Sequence, residues 1–384
     1  MHISVAVPTY NRCNYLKTNI KHFLEQHKPD GLTLSMSISN TASTDTTSAF
    51  LDKFASLRDD IFINNEPIGW THGNFGGLLK ALPSDADWVW LMGDDDYLYS
   101  PDSIETVYNV IKSHEHDSDF AFVHACQARR SKNSGNVYVD NVLNLCKELG
   151  YLEVLGWFSS LIVRRDVFEK ALARIHQIAW NCEQAFSGPQ GITYSAFLQS
   201  AELLHELHDK NGAFIDAPLA EPQDEVQTHE TVQRWTAESM AERYFLVVDD
   251  LLGLRERGLP IENLAPSFFR YHQFSLWDRL IHFQLACLLN LSKEQDSVKV
   301  KAILETYEKN WTRIQCFPKF LAGEAFKKSV FTSITSCMDI CELYINSKFD
   351  PVIEEKVRKQ IGSALASIYS FDLFWMEIEA ELAA

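Results

Sequence analysis

Short apolar runs alternate with segments of helical periodicity along the N-terminal quarter of the chain. The runs at 3–7, 32–38, 60–64 and 88–92 predict four strands. Apolar residues recur at helical spacing between these runs, in segments 15–27, 49–57 and 75–82. Strands that alternate with helices predict an α/β fold with a mostly parallel, doubly wound sheet, whose ligand site lies beyond the carboxyl ends of the strands.

The pattern changes in the second third of the chain. Residues 120–125 and 161–163 predict further strands, 165–175 and 194–210 predict helices, and the polar stretch 221–229 predicts a loop. From residue 232 onward almost every segment has helical spacing, which predicts a helical C-terminal part.

The length and composition agree with two domains. A chain of 384 residues with 46% hydrophobic content can bury a sizeable core. We expect one α/β domain over residues 1–225, divided at about residue 130 into a first and a second half, and a helical domain over residues 226–384.

The charge balance excludes some classes of partner. With 35 basic and 52 acidic residues, the formal net charge is −17, which opposes sequence-independent binding to nucleic-acid phosphates. We therefore expect no nucleic-acid partner. The 8 cysteines show neither a CxxC pair nor zinc-site spacing, so reduced and mostly buried thiols are predicted.

The N-terminal residues enter a strand pattern without the charged and apolar segments typical of a secretion signal. No run approaches the roughly 18 apolar residues of a membrane span. We expect a cytoplasmic protein, with the inner face of the membrane as an alternative place of action.

Three consecutive carboxylates, Asp94, Asp95 and Asp96, directly follow the apolar run at 88–92. Adjacent like charges repel, and burial of an unpaired charge is costly, so such a cluster must be solvated or neutralised by a cation. Carboxylate oxygens suit Mg²⁺ or Mn²⁺, and either ion can bridge a carboxylate to a diphosphate. A solvated acidic turn or a helix N-cap is the alternative interpretation.

Two further polar loops follow predicted strands, at Pro8–Arg12 and at Asn40–Asp45. Together with the acidic cluster, they resemble the family-two glycosyltransferases of the GT-A fold, whose members carry V-x-P-T-Y-N-R, D-N-x-S-x-D and D-x-D motifs. The stretch from Gly69 to Asn74 also resembles a G-x-x-x-x-N segment of that family. The motifs occur in the family's order over residues 3–97, so their joint occurrence is more specific than any one of them.

The resemblance implies a nucleotide pocket at the end of the first strand. Its residues would be Pro8, Thr9, Tyr10 and Arg12, with Tyr10 beside the base and Arg12 near the diphosphate. A strand-ending turn with a helix cap is the alternative for these residues taken alone.

The resemblance also implies a metal site. Asp96, helped by Asp94, would hold Mn²⁺ or Mg²⁺, while Asp95 would face the donor ribose or sugar. Asn74 would lie near the donor.

At Asn40 the chain departs from the family, which usually has an aspartate that accepts a hydrogen bond from the nucleobase. An asparagine keeps a carbonyl acceptor, adds two donors and removes a charge. Asn40 is therefore compatible with uracil or thymine, and a UDP- or dTDP-type donor is expected.

The general base is less apparent, because the Glu-Asp pair that often marks it in the family is missing from the corresponding window. Candidates there are His176, Glu183, Glu202, His205 and Glu206. We favour Glu183 and His176, which precede the Gly188-Pro189 loop, although a purely structural role is the alternative for each. Trp157 is either a sugar platform or a core residue.

These observations predict an inverting, metal-dependent glycosyltransferase that moves a sugar from a nucleotide-diphosphate sugar to a glycan or lipid-linked acceptor. Surface polysaccharide or glycoconjugate synthesis is the expected setting. A catalytically silent nucleotide-sugar-binding subunit or sensor is the alternative, whereas nucleotidyl or phosphoryl transfer is disfavoured because no phosphate-cradling Gly-x-x-x-x-Gly-Lys loop occurs. The C-terminal helices are candidates for homodimerisation, for peripheral membrane association through a membrane-bound partner, or for capping the acceptor cleft.

Overall fold

The computed structural model describes the backbone of residues 1–66, 71–185, 195, 197–223, 237–261, 264, 266–271, 274–276, 280, 284, 296–320 and 324–365. The chain divides into two compact units. The first comprises Met1–Tyr194 and Leu198–Gln227, and the second comprises Ser195–Phe197 and Thr228–Ala384.

The first unit alternates strands and helices from its N-terminus. The elements up to residue 113 are β1 (His2–Thr9), α1 (Cys13–Leu24), β2 (Thr33–Thr41), α2 (Thr47–Ala55), β3 (Ile61–Glu66), α3 (Thr71–Ala81), β4 (Trp88–Leu91), β5 (Asp96–Leu98) and α4 (Ser103–Ser113). The later ones are β6 (Phe120–Gln127), β7 (Val137–Asn141), α5 (Val142–Leu149), α6 (Tyr151–Leu155), β8 (Leu161–Arg164), α7 (Arg165–Ala185), α8 (Leu198–Leu207) and β9 (Asn211–Pro222).

The strands form one sheet in the order β3-β2-β1-β4-β8-β6-β9-β5, with β7 paired to β9. The four strands β3, β2, β1 and β4 are mutually parallel, as predicted. In the other half, β8 runs antiparallel between β4 and β6, and β6 pairs with β9 in parallel. The expected α/β fold is confirmed, and the antiparallel strands lie in the half that follows β4.

The core of the first unit surrounds β1, which lies between β2 and β4 and is buried from His2 to Val7. A central parallel strand is expected to form such a near-continuous apolar run. From α1, the residues Leu16, Ile20 and Phe23 pack into the same core, which confirms the helical spacing.

Two buried polar residues of β1, His2 and Ser4, pair with polar residues of β2, and such pairing offsets the cost of burying a polar group. His2 Nε2 lies 2.8 Å from Ser35 Oγ, and Ser4 Oγ lies 2.8 Å from Ser37 Oγ.

Strand β9 is the main element that the periodicity did not predict. The predicted helix at 194–210 corresponds to α8, whereas β9 covers Asn211–Pro222 and so takes in the first two residues of the predicted loop at 221–229. Residues 224–229 of that loop lie outside the described residues. Along β9, buried and exposed positions do not alternate, because the strand pairs with β6, β7 and β5 over different parts of its length. Such a strand lacks the alternation of apolar and polar residues by which a strand is recognised in a sequence.

The second unit is mainly helical over the residues that the structure describes. Its long helices are Ala237–Glu256, Ser297–Phe320, Glu324–Asn346 and Pro351–Leu365. The predicted stripe in the first of these helices is buried at Phe245, Val248 and Leu251. Within the described ranges, no helix combines the length and the apolar character needed to cross a bilayer.

The described cysteines agree with the prediction of reduced, buried thiols. Cys13, Cys126, Cys146 and Cys341 are free and buried. Burial raises the pKa of the Cys126 thiol to about 12, so this side chain stays protonated and unreactive near neutral pH.

Gly77 of α3 provides a test of the packing of this helix on the sheet. A Cβ at this position would overlap with Ser39 Oγ and would lie 3.0 Å from Glu66 Cγ. We expect Gly77→Ala to lower the free energy of unfolding by about 1–3 kcal/mol, because overpacking outweighs the gain in helix propensity. Urea unfolding followed by circular dichroism measures the change.

Gly253→Ala is the control, since Gly253 lies inside the helix Ala237–Glu256 and no described atom approaches its Cβ position within 4 Å. This substitution should raise stability by about 0.5–1 kcal/mol through helix propensity alone. A Gly77→Ala variant as stable as the unsubstituted chain would contradict the close approach of α3.

Candidate active site

Three loops meet where β1, β2 and β4 end. Thr9 is the register partner of Asn40, so the ends of β1 and β2 are adjacent. The backbone N–H of Met92 donates to the carbonyl of Ala6 at 3.0 Å, which places the acidic cluster beside the loop that follows β1. The structure thus brings together the polar segments that the sequence places after three parallel strands.

Arg12 and Thr9 bind the first two carboxylates of the cluster. Arg12 Nη1 donates to Asp94 Oδ1 at 3.2 Å and also to Asp95 Oδ2. Thr9 Oγ1 donates to Asp94 Oδ2 at 2.8 Å. Both oxygens of Asp94 are therefore engaged by the loop that follows β1.

The third carboxylate has a different partner. Asp96 Oδ2 accepts a hydrogen bond from Ser159 Oγ, and the same hydroxyl accepts from the backbone N–H of Gly93 at 2.8 Å. Ser159 lies in the turn that leads into β8. Among the described residues, no cation forms an ion pair with Asp96.

The cluster carries more negative charge than its protein partners neutralise. Burial, together with the charge of Asp95, raises the pKa values of Asp94 and Asp96 well above the usual range of a carboxyl group. Arg12 supplies one positive charge to three carboxylates. Such a deficit is the condition under which a buried acidic cluster binds a metal ion.

The oxygen atoms that remain also fit a divalent cation. Within the described part of the chain, no hydrogen bond reaches Oδ1 of Asp95 or Oδ1 of Asp96. Carboxylate oxygens of this kind are the ligands that Mg²⁺ and Mn²⁺ prefer. A Cβ at Gly93 would lie 2.7 Å from Asp96 Oδ2 and 2.8 Å from Asp95 Oδ1, so the loop closes this tightly only around a glycine.

The backbone of the acidic loop is held by side chains from distant parts of the chain. Asn19 Nδ2 donates to the carbonyl of Gly93 at 2.9 Å. Gln223 donates its backbone N–H to the carbonyl of Asp95 at 2.7 Å and its side-chain amide to the carbonyl of Tyr15 at 3.0 Å. Neither Asn19 nor Gln223 belongs to a motif that the sequence suggested.

The loops after β1 and β2 each contain a residue with left-handed backbone geometry. Asn11 has φ of 54° and Ala42 has φ of 49°. Asn11 Oδ1 accepts the backbone N–H of Thr44 at 2.7 Å, which ties the two loops together. Left-handed geometry is unfavourable for an alanine, and such strain is often found where a loop must hold one particular shape.

At the end of β2, the NH₂ group of the Asn40 side chain is hydrogen-bonded, whereas its carbonyl oxygen has no such bond within the described part of the chain. Its Nδ2 donates to Ser48 Oγ at 2.9 Å and to Asn65 Oδ1 at 2.8 Å. Its Oδ1 is buried and has no hydrogen-bond partner among the described residues. Next to it, Thr41 Oγ1 donates to Asn74 Oδ1 at 2.8 Å, so Asn74 lies at this edge of the sheet.

Pro8 and Tyr10, the remaining predicted pocket residues, flank Thr9. Pro8 is the register partner of Ser39, and both Pro8 and Tyr10 are partly exposed. Gly69 of the resembling segment lies outside the described residues.

The candidate bases lie on helices α7 and α8. His176 faces α3, where a Cβ at Gly76 would lie 3.0 Å from its ring. Glu202 and Glu206 both bind Arg174. None of these described contacts reaches the acidic loop.

The side chain of Glu183 lies outside the described residues. The identity of the base therefore stays a prediction. Trp157, interpreted as a sugar platform or a core residue, packs partly buried against the core.

Residues 4–171 match the family model described as "Glycosyl transferase family 2". No curated protein matches the chain.

Among solved structures, the chain is similar to S. aureus TarS in complex with UDP-GlcNAc, with a TM-score of 0.53 and 12% identity over 90% of this chain and 92% of that one. It is also similar to a mannosyltransferase from Pyrobaculum calidifontis in complex with GDP-Man and Mn²⁺, with a TM-score of 0.44 and 13% identity over 97% and 86% of the two chains. The similarity to TarS shows a shared fold.

The raised pKa of Asp96 gives a pH-dependent expectation for stability without metal. A carboxyl whose pKa is higher in the folded than in the unfolded state destabilises the fold as pH rises from the unfolded pKa to the folded one. Asp96→Asn should therefore match the unsubstituted chain at about pH 4 and exceed its stability by about 1–3 kcal/mol at about pH 8.5.

Urea unfolding in EDTA at the two pH values measures this difference. Asp52→Asn, at an exposed carboxylate of α2, is the control and should show no gain that depends on pH. A pH-independent effect of Asp96→Asn would contradict the buried, uncompensated charge.

Proposed function

We propose that the protein, whose residues 4–171 match the model of glycosyltransferase family 2, transfers a sugar from a UDP- or dTDP-linked donor to a glycan or lipid-linked acceptor, with inversion at the anomeric carbon. The observation that carries the proposal is the buried, undercompensated acidic cluster beside the ends of β1 and β2. The carboxylates of such a cluster produce a negative electrostatic potential. This potential attracts a divalent cation, and the cation in turn binds a diphosphate.

The donor half of the mechanism follows from the loops that meet at the acidic cluster. Asp96, together with Asp94 once Arg12 has released its Oδ1, would hold Mn²⁺ or Mg²⁺, which would supply positive charge to the departing nucleoside diphosphate. Thr9 keeps Asp94 oriented through its 2.8 Å hydrogen bond. Arg12, ion-paired with Asp94 and Asp95, is placed to exchange these partners for a phosphate oxygen of the donor.

The base-binding part of the proposal rests on Asn40. Its two amide N–H groups donate to Ser48 and Asn65, so the carbonyl oxygen is the group left to accept a hydrogen bond. The imide N3–H of uracil or thymine is a single donor that suits one acceptor. The UDP-GlcNAc complex of TarS, which shares the fold, supports the choice of a uridine nucleotide as donor.

The acceptor half of the mechanism is a single displacement. An oxygen of the acceptor hydroxyl forms a bond to the anomeric carbon, while the bond from that carbon to the diphosphate oxygen breaks on the opposite side. The hydroxyl proton passes to a base in the segment 176–206, for which we propose Glu183 or His176. Positioning of donor and acceptor provides much of the rate enhancement.

We further propose that this reaction belongs to the synthesis of surface polysaccharide or glycoconjugate and takes place in the cytoplasm. The net charge of −17 supports a role in which nucleic acid is not a partner.

Asp96→Ala tests the metal-dependent reaction. Loss of this carboxylate should lower the rate of donor hydrolysis or transfer with Mn²⁺ by about 1,000-fold or more, because the leaving group loses its counter-charge. Release of nucleoside diphosphate from UDP-sugars is the measurement, and Asp52→Ala, on an exposed face of α2, should keep full activity.

Full activity of Asp96→Ala would rule out the proposed site. If calorimetry shows that the unsubstituted chain binds UDP with Mn²⁺ but hydrolysis and transfer are absent for every donor tested, the protein is a nucleotide-sugar-binding subunit or sensor instead.

The choice of nucleotide is tested by a thermal-shift screen of nucleotide sugars with Mn²⁺ and with EDTA. UDP- or dTDP-sugars should raise the melting temperature only with Mn²⁺, since the cation links the diphosphate to the carboxylates. GDP- and ADP-sugars should have a smaller effect, because guanine presents paired donors and adenine lacks an imide N–H. A larger shift with GDP-sugars would contradict the role of Asn40.

A further inference from the structure

We propose that Ser159 is a positioning residue that holds the carboxylate of Asp96 in the orientation needed for a cation, a role that rests on the proposed function. Ser159 lies far from Asp96 in the sequence, and it directly precedes Ser160 and β8. Its hydroxyl joins two parts of the acidic loop, the backbone of Gly93 and the side chain of Asp96.

When Asp96 is ionised, as a metal ligand must be, the neighbours of Ser159 fix the direction of its hydroxyl proton. The backbone N–H of Gly93 donates to Ser159 Oγ at 2.8 Å, so this oxygen acts as an acceptor on one side. The carboxylate of Asp96 can only accept when ionised, so the single hydroxyl proton is directed to Asp96 Oδ2. A buried carboxylate held by a hydroxyl donor in this way has little freedom to rotate.

Ser159 is itself held in place on its backbone side. Trp90, a fully buried residue of β4, donates its indole N–H to the carbonyl of Ser159 at 2.9 Å. The side chain of Ser159 is completely buried, so water does not compete for its hydroxyl. The backbone carbonyl of Ser159 is therefore held by β4, and its hydroxyl is held by the loop that follows β4.

This arrangement distinguishes the two oxygens of Asp96. Oδ2 is committed to Ser159, whereas no described hydrogen bond reaches Oδ1. A cation would meet one pre-oriented oxygen instead of a freely rotating carboxylate, which is the usual contribution of residues that hydrogen-bond to metal ligands. The next carboxylate, Asp95, is held by Arg12 at a more exposed position and lacks this restraint.

Ser160 provides a matched control for a purely structural effect. It is adjacent in sequence and 1% exposed, close to the 0% of Ser159. Its hydroxyl has no hydrogen-bond partner among the described residues. Substitution of either serine by alanine therefore removes one hydroxyl from the same buried turn. Only the substitution of Ser159 removes a hydrogen bond to Asp96.

The test compares Ser159→Ala, Ser159→Thr and Ser160→Ala in the full chain. Electron paramagnetic resonance of free Mn²⁺ gives the Mn²⁺ affinity with and without UDP, and urea unfolding in EDTA reports on folding. We expect Ser159→Ala to weaken Mn²⁺ binding about tenfold or more, whereas Ser159→Thr, which keeps the hydroxyl, and Ser160→Ala stay within about threefold of the unsubstituted chain. If the alanine variant does not fold, Ser159→Cys, which keeps the volume with a weak donor, replaces it.

The turnover of a UDP-sugar adds a second readout. Ser159→Ala should lower kcat at limiting Mn²⁺ and recover part of it at high Mn²⁺, while KM for the donor at saturating metal changes little. A purely structural defect would not be relieved by added metal.

Three results would overturn the role of Ser159, and they differ in what they say of the proposed function. Unchanged Mn²⁺ affinity in Ser159→Ala, with normal binding by the unsubstituted chain, would remove this role alone. Equal weakening by Ser160→Ala would show that the turn, and not the hydrogen bond, matters. No Mn²⁺ binding by the unsubstituted chain would overturn both this role and the metal-dependent function.

Discussion

Repulsion among three adjacent carboxylates, two of them buried, is the constraint on which the site depends. The loop after β4 brings Asp95 and Asp96 so close to Gly93 that a Cβ there would lie 2.8 Å and 2.7 Å from their carboxylate oxygens. Protein groups offset only part of the charge, through Arg12 and the hydroxyls of Thr9 and Ser159. The fold therefore maintains a region of negative potential that a cation can neutralise, and its stability without metal is reduced accordingly.

The first half of the fold could be predicted because its information is local. Strands β1, β2 and β4 are short, mostly buried runs, each followed by a loop whose polar residues are contiguous in sequence. Parallel pairing then brings the loops after β1, β2 and β4 to one edge of the sheet, where the structure places them together. The strand-end position of these loops, together with the family resemblance, predicts Asp94 and Arg12 at one site, and in the structure an ion pair joins them.

The rest could not be predicted because it depends on contacts between distant segments. Ser159, Asn19 and Gln223 reach the acidic loop from a turn, a helix and the end of a strand, and no local pattern marks them. Strand β9 was missed since its three partners impose no single periodicity on it. Similarly, Glu202 fits the window for a base by sequence, whereas its ion pair with Arg174 depends on how α7 packs against α8.

The pairing of β5 with β9 also has a consequence for the order in which the protein assembles. Asp96 is the register partner of Pro222, so the strand that carries the acidic carboxylate is completed by a segment made much later during synthesis. Contacts with such large sequence separation form slowly, because a long loop must close before they contribute. A nascent chain can therefore pair β1 to β4 early, yet it holds an unfinished acidic loop until β9 has left the ribosome and joined the sheet.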